Sequence, residues 1–385
     1  MSTSFIDEET FAHLCETIER FVNERLIPNE LRLELDDDVP PEIVQDMRAL
    51  GLFGLTIPPE YGGIGLAATQ EVRVAQILGH TSVAFRSLFG TNIGIGARGL
   101  MLEGTEDQKQ QWLPKLASGD IISSFALTEP DTGSDPASLT TKAVRDGDDY
   151  VISGTKRYIT NAPRAGLFTV MARTEFDKPG ADAISAFLVP AGLPGLTIGK
   201  KDRKMGQRGT ATADVIFDNV RVPASSIIGG VPGKGFRLAM RVLDRGRIHI
   251  AALATGVCDR LISEMLSFSK NRKQFGKPIS DYQLIQAMIA DSYTDYIASK
   301  ALVERAAEIY DANGAARLEA SAAKYFATEA VGRVADRAVQ VHGGAGYMTE
   351  SAVERFYRDV RLMRIYEGTS QIQQLLIARQ LLKGT

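Results

Sequence analysis

A run of 30 residues without proline or glycine, 283–312, constrains the fold of this chain more than any other feature. An uninterrupted α-helix through this run would be about 45 Å long at 1.5 Å per residue. Residues 318–342 form a second such stretch, broken only by Gly332, and the glycines at 343, 344 and 346 predict its end. Helices this long must bury their apolar faces against one another, which predicts a four-helix bundle. The candidates for its core are Met288, Tyr296, Phe326 and Val334.

The chain before this bundle divides into a helical part and a β-rich part. Apolar residues recur three and four positions apart across residues 8–119, and Thr105 with Gln108 predicts the capped start of one helix there. After Ile121, runs rich in β-branched and aromatic residues alternate with turn residues, and 146–149 is a predicted hairpin turn. Strands are predicted at 123–128, 150–160, 167–172, 184–189 and 214–222. The fold class is therefore α+β multidomain, with an N-terminal α-helical domain (1–121), a middle β domain (122–232) and a C-terminal α-helical bundle domain (233–385).

Composition and charge exclude several classes of protein. The 385 residues are 44% hydrophobic and 24% charged, which is typical of soluble globular proteins, and the net charge of −3 gives no support for binding nucleic acid or anionic membranes. Cys15, Cys258 and four scattered histidines provide neither a disulfide framework nor the spacing of metal ligands, so we expect no metal site. The N-terminus is unlike a signal or transit peptide, and no apolar run approaches the roughly 18 residues of a membrane span. We expect a cytoplasmic protein.

One carboxylate, Glu367, lies in the C-terminal stretch RIYEGTSQIQ. Gly368 follows it and allows backbone geometry that other residues resist, so a ligand could approach closely. Ser370 and Gln373 have the spacing of a capping box, which predicts a helix that begins at Gln371. Glu367 would then lie on a short loop just before a helix N-terminus. From these residues alone, a solvated loop acid and a functional carboxylate both remain open.

Four further motifs each have an ordinary structural interpretation. Loop 128–135 is a polar loop after a strand, although its N–H groups and hydroxyls could also hold a flavin edge or a phosphate. The aromatic residue of 158–160 is typical of cross-strand packing, and Asp244 with Arg247, three apart at a predicted helix start, is typical of a local ion pair. Residues 272–276 have the basic character of a helix C-terminus. No GxGxxG follows a predicted strand, so a Rossmann dinucleotide site is not supported.

Taken together, these stretches resemble the acyl-CoA dehydrogenase family, in its short- or medium-chain type with the catalytic Glu in the C-terminal YEGTSQIQ motif. They follow the family's order over nearly the whole chain: FALTEPDTGSD (125–135), YITN (158–161), LDRGR (243–247), RKQFGKPI (272–279), QVHGGAGYMTE (340–350) and YEGTSQIQ (366–373). The resemblance implies an N-terminal helical domain, a middle β-barrel-like domain and a C-terminal four-helix bundle. That order agrees with the order predicted from the residues.

The resemblance also implies roles for single residues. Glu367 would be the catalytic base, because Gly246 stands where relatives such as the isovaleryl-CoA dehydrogenases carry theirs, immediately before Arg247. The implied acyl-CoA contacts are Ser134, Asp244, Arg247 and Gly368. The implied FAD contacts are Phe125, Leu127, Thr128, Gly133, Ser134, Tyr158, Ile159, Thr160, Arg272, Gln274, Gln283, Gln340, Val341, His342, Gly343, Gly344, Thr369 and Gln371, of which the residues from 340 to 344 would approach FAD from a neighbouring subunit. Two positions depart from the family pattern: Asp131-Thr132 replaces a common Gly-Ala, and Tyr158 replaces a common Trp.

The activity that the resemblance implies is FAD-dependent α,β-dehydrogenation of an acyl-CoA to trans-2-enoyl-CoA, as in the β-oxidation of fatty acids. Electrons would pass to an electron-transfer flavoprotein, and the protein would be a homotetramer. Two alternatives stay open: an acyl-CoA oxidase or flavin monooxygenase on the same fold, and a non-catalytic acyl-CoA-binding relative. The intact Glu367 argues against the second, since a binding module needs no base. Residues 89–96 fall where the family lines its acyl pocket, but they do not identify the acyl group.

Overall fold

The computed structural model describes residues 5–383, and the chain ahead of the first strand is helical. The predicted capped start at Thr105 is confirmed: Thr105 Oγ1 accepts from the N–H of Gln108, and Gln108 Oε1 accepts from the N–H of Thr105. The α-helices of this part are α1 (Glu8–Phe21), α2 (Glu30–Asp36), α3 (Pro41–Ala49), α4 (Ala68–Leu78), α5 (Val83–Thr91), α6 (Arg98–Glu103) and α7 (Glu106–Ala117).

A curled seven-stranded sheet forms the middle part. Its strands are β1 (Ser123–Ala126), β2 (Lys142–Asp146), β3 (Asp149–Thr160), β4 (Leu167–Arg173), β5 (Ile184–Pro190), β6 (Leu196–Ile198) and β7 (Thr212–Pro223). They lie in the order β1-β4-β2-β3-β7-β6, with β5 paired to β4. The predicted hairpin turn joins β2 to β3, where Asp146 pairs with Asp149 and Gly147 has a φ of +63°. All five predicted strands are present, whereas β2 and β6 were not predicted, because β2 is mostly exposed and β6 has only 3 residues.

Long helices form the C-terminal part, as predicted, and a small hairpin of β8 (Lys273–Gln274) and β9 (Lys277–Pro278) follows the first of them. These helices are α8 (Gly235–Asn271), α9 (Gln283–Asn313), α10 (Arg317–His342), α11 (Ala352–Val360) and α12 (Ser370–Leu382). Of the predicted core residues, Val334 is fully buried and the other three are half-buried. The prediction that Asp244 and Arg247 lie at a helix start is wrong, because α8 begins at Gly235 and carries both residues well inside it.

The helix α8 packs against α4 so closely that their backbones touch. A Cβ at Gly256 of α8 would collide with the backbone oxygen of Gln76 in α4, and a Cβ at Gly79 would meet the Leu253 oxygen at 2.6 Å. Backbones can approach this closely only where the residues at the point of contact are glycines, which have no side chain. The pair of glycines therefore fixes the distance between the N-terminal helices and the bundle.

This close packing predicts opposite effects for two equivalent helix substitutions. Gly256→Ala should lower the free energy of unfolding by about 1–3 kcal/mol, because the methyl group has to push α4 away from α8. Gly332→Ala in α10 is the control: its Cβ would meet only the flexible end of the Arg364 side chain, at 3.2 Å, so the gain in helix propensity of about 1 kcal/mol should dominate. Urea unfolding measures both variants. Equal effects of the two substitutions would contradict the packing argument.

Candidate active site

The loop before α12 holds Glu367 in a strained backbone conformation, with a φ of +53°, followed by Gly368 with a φ of +91°. A residue with a side chain in this left-handed region costs of the order of 1–3 kcal/mol and persists only where the surroundings enforce it. Two side chains do so here. Lys324 Nζ of α10 donates to the Gly368 oxygen at 2.8 Å, and Gln373 Nε2 of α12 donates to the backbone oxygens of Glu367 and Gly368 at 3.1 Å each. The bundle thus fixes the position of the carboxylate.

The predicted capping box at the start of α12 is wrong. Thr369 is the cap instead, since its Oγ1 accepts from the backbone N–H three residues further on at 3.2 Å, and the helix begins at Ser370 rather than at Gln371. The Ser370 hydroxyl donates to the Glu329 carboxylate of α10. The Gln373 side chain holds the loop oxygens rather than its own cap. The real arrangement therefore ties the helix start to α10 as well as to the loop.

The Glu367 carboxylate is surrounded by protein on one side and borders a cavity on the other. Its Oε2 is buried and has no hydrogen-bond partner among residues 5–383. Gly246 of α8 faces this oxygen, and a Cβ there would collide with it. Burial raises the pKa of Glu367, while Arg86, Lys324 and Arg247 partly oppose that rise by favouring the carboxylate. A carboxylate in this state can accept a proton from a ligand bound in the cavity.

This main cavity has a volume of about 730 Å³, within the range usual for small-molecule sites. Arg247, Glu367 and Gly368 line it, and so do apolar residues of α12. At its edge, the exposed ring of Tyr158 stands on a strained backbone with a φ of +58°. The predicted flavin residues that line the cavity are Phe125, Leu127, Thr128, Gly133, Ser134, Tyr158, Ile159 and Thr160. The structure thus brings the sheet motifs and the C-terminal motif together around one space.

A buried ion pair anchors the loop that contributes Thr128, Gly133 and Ser134 to this cavity. Lys156 Nζ of β3 donates to Glu129 Oε1 at 2.9 Å and to the Leu127 oxygen at 3.0 Å. The Glu129 carboxylate also accepts from the N–H groups of the two residues before β2, at 2.6 and 2.8 Å. Burial alone would raise the pKa of Glu129, but Lys156 and these donors bring it to about 2. Burial lowers the pKa of Lys156 to about 8. The loop is therefore held to the sheet by charge-assisted hydrogen bonds.

Asp244 and Arg247 form the ion pair that their spacing predicted. Arg247 Nη1 donates to Asp244 Oδ1 at 2.8 Å, and Arg317 Nε of α10 donates to the other oxygen at 3.1 Å. Arg247 Nε also donates to the backbone oxygen of Glu367 at 3.5 Å. Asp244 itself does not line the main cavity. Of its two observed partners, Arg247 lines the cavity and Arg317 does not.

The remaining predicted residues do not line the main cavity of this chain. Arg272 directly follows the end of α8 and Gln274 lies on β8, both of them exposed, whereas the side chain of Val341 is buried in the core. The ring of His342 stacks on Phe268 at 4.3 Å. The full set outside the cavity is Arg272, Gln274, Gln283, Gln340, Val341, His342, Gly343, Gly344, Thr369 and Gln371. Within one chain, the site therefore contains the sheet residues and Glu367 but not these residues.

A group of charged side chains next to Glu367 was not predicted. It consists of Glu71 (α4), Arg86 (α5), Arg98 (α6), Arg245 and His249 (both α8), and we call it the buried charge cluster. The one local signal is a charged residue inside an otherwise apolar helix: every residue of α5, VAFRSLFGT, is buried, including its arginine. Contacts between segments far apart in sequence bring the cluster together, so no spacing rule finds it.

Two searches of residues 5–383 gave negative results. No group of three or more His, Cys, Asp or Glu side chains there could hold a metal ion. The helices in this range are too short or too polar to cross a membrane. Both described cysteines, Cys15 and Cys258, are free and buried.

Comparison with known proteins gives consistent matches along the chain. Models described as the N-terminal, middle and C-terminal domains of acyl-CoA dehydrogenase match residues 8–120, 124–220 and 233–382. A Bacillus subtilis protein named "Probable acyl-CoA dehydrogenase YngJ" is 42% identical, over 96% of this chain and 97% of its own length. The human mitochondrial short-chain specific acyl-CoA dehydrogenase is 38% identical, over 98% and 91%. The structure of butyryl-CoA dehydrogenase from Megasphaera elsdenii has a TM-score of 0.94 at 32% identity, over 99% and 100%.

The Glu129–Lys156 pair leads to a prediction about stability. Lys156→Met should lower the free energy of unfolding by about 3–5 kcal/mol at neutral pH, because it leaves a buried carboxylate without its cation. Lys142→Met, which removes an exposed cation from β2, is the control and should be nearly neutral. The lowered pKa of Glu129 stabilises the fold above the ordinary pKa of a Glu and does so less and less as the pH falls toward about 2. Urea unfolding at several pH values should therefore show that the free energies of unfolding of the wild type and Lys156→Met approach each other in acid. A difference between them that stays constant with pH would contradict this.

Proposed function

Because this chain belongs to the acyl-CoA dehydrogenase family, and is thus an oxidoreductase that acts on acyl-CoA, we propose that it is an FAD-dependent enzyme that converts an acyl-CoA thioester to its trans-2-enoyl-CoA. One observation carries the proposal: Glu367 lines a cavity large enough for a small-molecule substrate, and its buried Oε2 has no hydrogen-bond partner within residues 5–383. A structural acid in such a position would have a hydrogen-bond partner, because burying a charge without one is costly.

The chemistry requires removal of a proton from the carbon next to the thioester, which is a very weak acid. Glu367 can accept that proton, because its Oε2 makes no competing hydrogen bond and burial has raised its pKa. Lys324 and Gln373 hold the loop oxygens and so keep the carboxylate in place without neutralising it directly. Positioning of this kind reduces the entropy lost on reaching the transition state.

The cavity residues fit a flavin. The wall formed by β1, β3 and the loop after β1 offers apolar side chains for a planar ring and the hydroxyls of Thr128, Ser134 and Thr160 for its polar edge. The strained backbone and exposed ring of Tyr158 at the cavity edge suit a residue whose conformation serves a ligand rather than the core. When bound there, FAD would supply the acceptor for the hydride that leaves the β-carbon. The residues in contact with it would be the eight predicted flavin residues that line the main cavity.

We also propose that the protein assembles as a homotetramer, passes electrons to an electron-transfer flavoprotein and works in the cytoplasm. Assembly is supported by large apolar side chains that α9 and α12 expose, such as Leu284 at 81% and Leu382 at 87% exposed area. It is also supported by the predicted FAD residues that lie outside the cavity of one chain, since a neighbouring subunit could bring them to it. Obligate interfaces of this kind bury more than about 2,000 Å².

The first prediction tests Glu367. Glu367→Gln should retain FAD and still bind acyl-CoA, seen as a shift of the flavin spectrum, but should reduce its flavin about 10²–10⁴-fold more slowly, because the amide cannot accept the proton. Anaerobic stopped-flow absorbance measures the rate, and Glu60→Gln, at an exposed acid, is the control. In the wild type the rate should fall as the pH drops through the raised pKa of Glu367, since only the carboxylate is a base. A Glu367→Gln rate within a few-fold of the wild type would show that another group is the base.

The same measurement separates the proposed dehydrogenase from its alternatives. Fast bleaching by acyl-CoA followed by slow reoxidation in air is expected of a dehydrogenase. Fast reoxidation in air would instead indicate an oxidase or monooxygenase. Binding of acyl-CoA without any bleaching would indicate a non-catalytic relative.

The second prediction tests Arg272 as a ligand of FAD from outside the cavity. Arg272→Ala should weaken FAD binding by about 10- to 100-fold, because a charge-assisted contact to phosphate contributes about 1.5–3 kcal/mol. The fold should be unaffected, since the Arg272 side chain is exposed and makes no hydrogen bond or ion pair within residues 5–383. Lys270→Ala, an exposed cation two residues earlier, is the control. FAD content after gel filtration measures the binding of FAD, and light scattering on the same samples measures the assembly. A monomer that keeps its FAD would contradict two proposals: the homotetramer, and the contact of Arg272 with FAD from a neighbouring subunit.

A further inference from the structure

The buried charge cluster contains more positive than negative charge. It contains three guanidinium groups, those of Arg86, Arg98 and Arg245, but only one carboxylate, that of Glu71. Arg245 Nε donates to Glu71 Oε2 at 2.6 Å and so pairs with it fully. Neither Arg86 nor Arg98 has a carboxylate within 4.0 Å among residues 5–383. Even with the Glu367 carboxylate counted, the region keeps one surplus positive charge.

His249 does not add an anion or a further cation. Arg86 Nε donates to His249 Nε2 at 2.6 Å, so that ring nitrogen has to be unprotonated. The other nitrogen, Nδ1, lies 2.8 Å from Glu71 Oε1 and therefore carries the proton that it donates. Burial lowers the pKa of His249, as does the positive charge of Arg86, which agrees with a neutral ring. The chain Glu71–His249–Arg86 thus orients the guanidinium of Arg86 and leaves its terminal nitrogens unoccupied.

The unpaired guanidinium groups line a small cavity behind Glu367. This inner cavity of about 30 Å³ is lined by the whole buried charge cluster, by Gly246 and by Glu367. Glu367 and Arg86 line the main cavity as well, so the two cavities are adjacent at these side chains. A water needs roughly 10–15 Å³, so the inner cavity admits one small polar group and no long chain. Because Glu367 lines both cavities, a ligand with its α-carbon beside Glu367 has the inner cavity next to it.

A buried guanidinium without an anion is costly to the fold. The cost of removing a charge from water is several kcal/mol per ion unless a partner of opposite charge is present. Arg86 is only 7% exposed and hydrogen-bonds to a neutral histidine rather than to a carboxylate. Arg98 has one bond, from Nη2 to the Tyr310 hydroxyl at 3.2 Å, and its buried Nε has no partner in the described chain. Two cations in this state beside a cavity are suited to an anionic ligand, to which arginine offers paired N–H donors.

We propose that the acyl group of the substrate is short and carries a carboxylate at its far end, and that Arg86 binds this carboxylate in the inner cavity, with Arg98 contributing. The proposal rests on the proposed function for the place of the α-carbon at Glu367. Arg86 would then determine specificity: a neutral chain of equal length would leave its guanidinium unpaired. The Glu71–Arg245 pair would have a supporting role, because it holds His249 and through it Arg86.

Matched thioesters test the proposal on the FAD-loaded enzyme. Succinyl-CoA and glutaryl-CoA carry the terminal carboxylate, and butanoyl-CoA and pentanoyl-CoA are their neutral counterparts of equal length. Calorimetric binding to the wild type should favour the carboxylate member of at least one pair by 10-fold or more. Equal or tighter binding of the neutral member in both pairs would overturn the proposal, and so would the absence of binding by all four. This comparison needs no variant, so it decides the question even if substitutions in the cluster prevent folding.

Arg86→Gln locates the effect. It should weaken binding of the preferred carboxylate thioester by 10-fold or more and leave the neutral one within about 3-fold, so that the preference disappears. Arg305→Gln, which removes an exposed arginine from α9, is the matched control and should preserve the preference. A preference that survives in a folded, FAD-containing Arg86→Gln protein would overturn the assignment to Arg86.

Binding tests the inference about the carboxylate, whereas flavin reduction tests the proposed dehydrogenation, so that either can fail without the other. If the carboxylate thioesters bind preferentially but none of the four bleaches the flavin, the inference holds and the proposed dehydrogenation fails. If only the neutral thioesters bind and bleach it, the dehydrogenation holds and the inference fails.

Discussion

The arrangement of this molecule depends on the ion pair between Glu71 and Arg245, which lies in the interior where α4 meets α8. Both groups are almost fully buried, so either one alone would be strongly destabilising. Burial alone would raise the pKa of Glu71. Its two partners, Arg245 and His249, lower this pKa by more, so that it lies well below that of an ordinary Glu. The pair therefore exists as ions and fixes how the N-terminal helices sit on the bundle. Close glycine packing between the same two helices, at Gly79 and Gly256, makes this position unique.

The same helix carries the functional groups. Along one stretch of α8, Arg245 binds Glu71, Gly246 makes room for the Glu367 carboxylate, and Arg247 reaches the backbone oxygen of Glu367. Three successive residues thus connect the packing of the N-terminal helices against the bundle to the position of the Glu367 carboxylate. The strained backbone at Glu367 is acceptable because α10 and α12 hold it from the other side. The same contacts therefore stabilise the core and set the geometry of the site.

What the sequence could predict follows from the range of each interaction. The long helices, the cap at Thr105 and the hairpin turn before Asp149 depend on residues within a few positions of one another, and all three predictions were confirmed. The start of α12 was misplaced because Ser370 satisfies a local rule while its hydroxyl bonds to Glu329, 41 positions away. The strand β2 was missed because its mostly exposed residues lack an apolar pattern.

For the site, the motif residues of the sheet and Glu367 do line one cavity, a placement that a resemblance alone could imply. The buried charge cluster is different, since Arg86 and His249 are 163 positions apart and neither lies in a recognisable motif. Only the assembled core shows that the two side chains meet. The assembled structure also shows that predicted FAD residues such as Arg272 and Gln340 lie outside the main cavity of a single chain.

The contact between Gly246 and Glu367 also makes the residues at these two positions interdependent. A Cβ at position 246 would lie too close to Oε2 of Glu367, so any residue other than glycine there would displace the carboxylate from the place that it now fills. The size of the residue on α8 therefore sets where an acid on the loop before α12 can stand, although the two positions are far apart in sequence. The effects of substitutions at these two positions should consequently not add up.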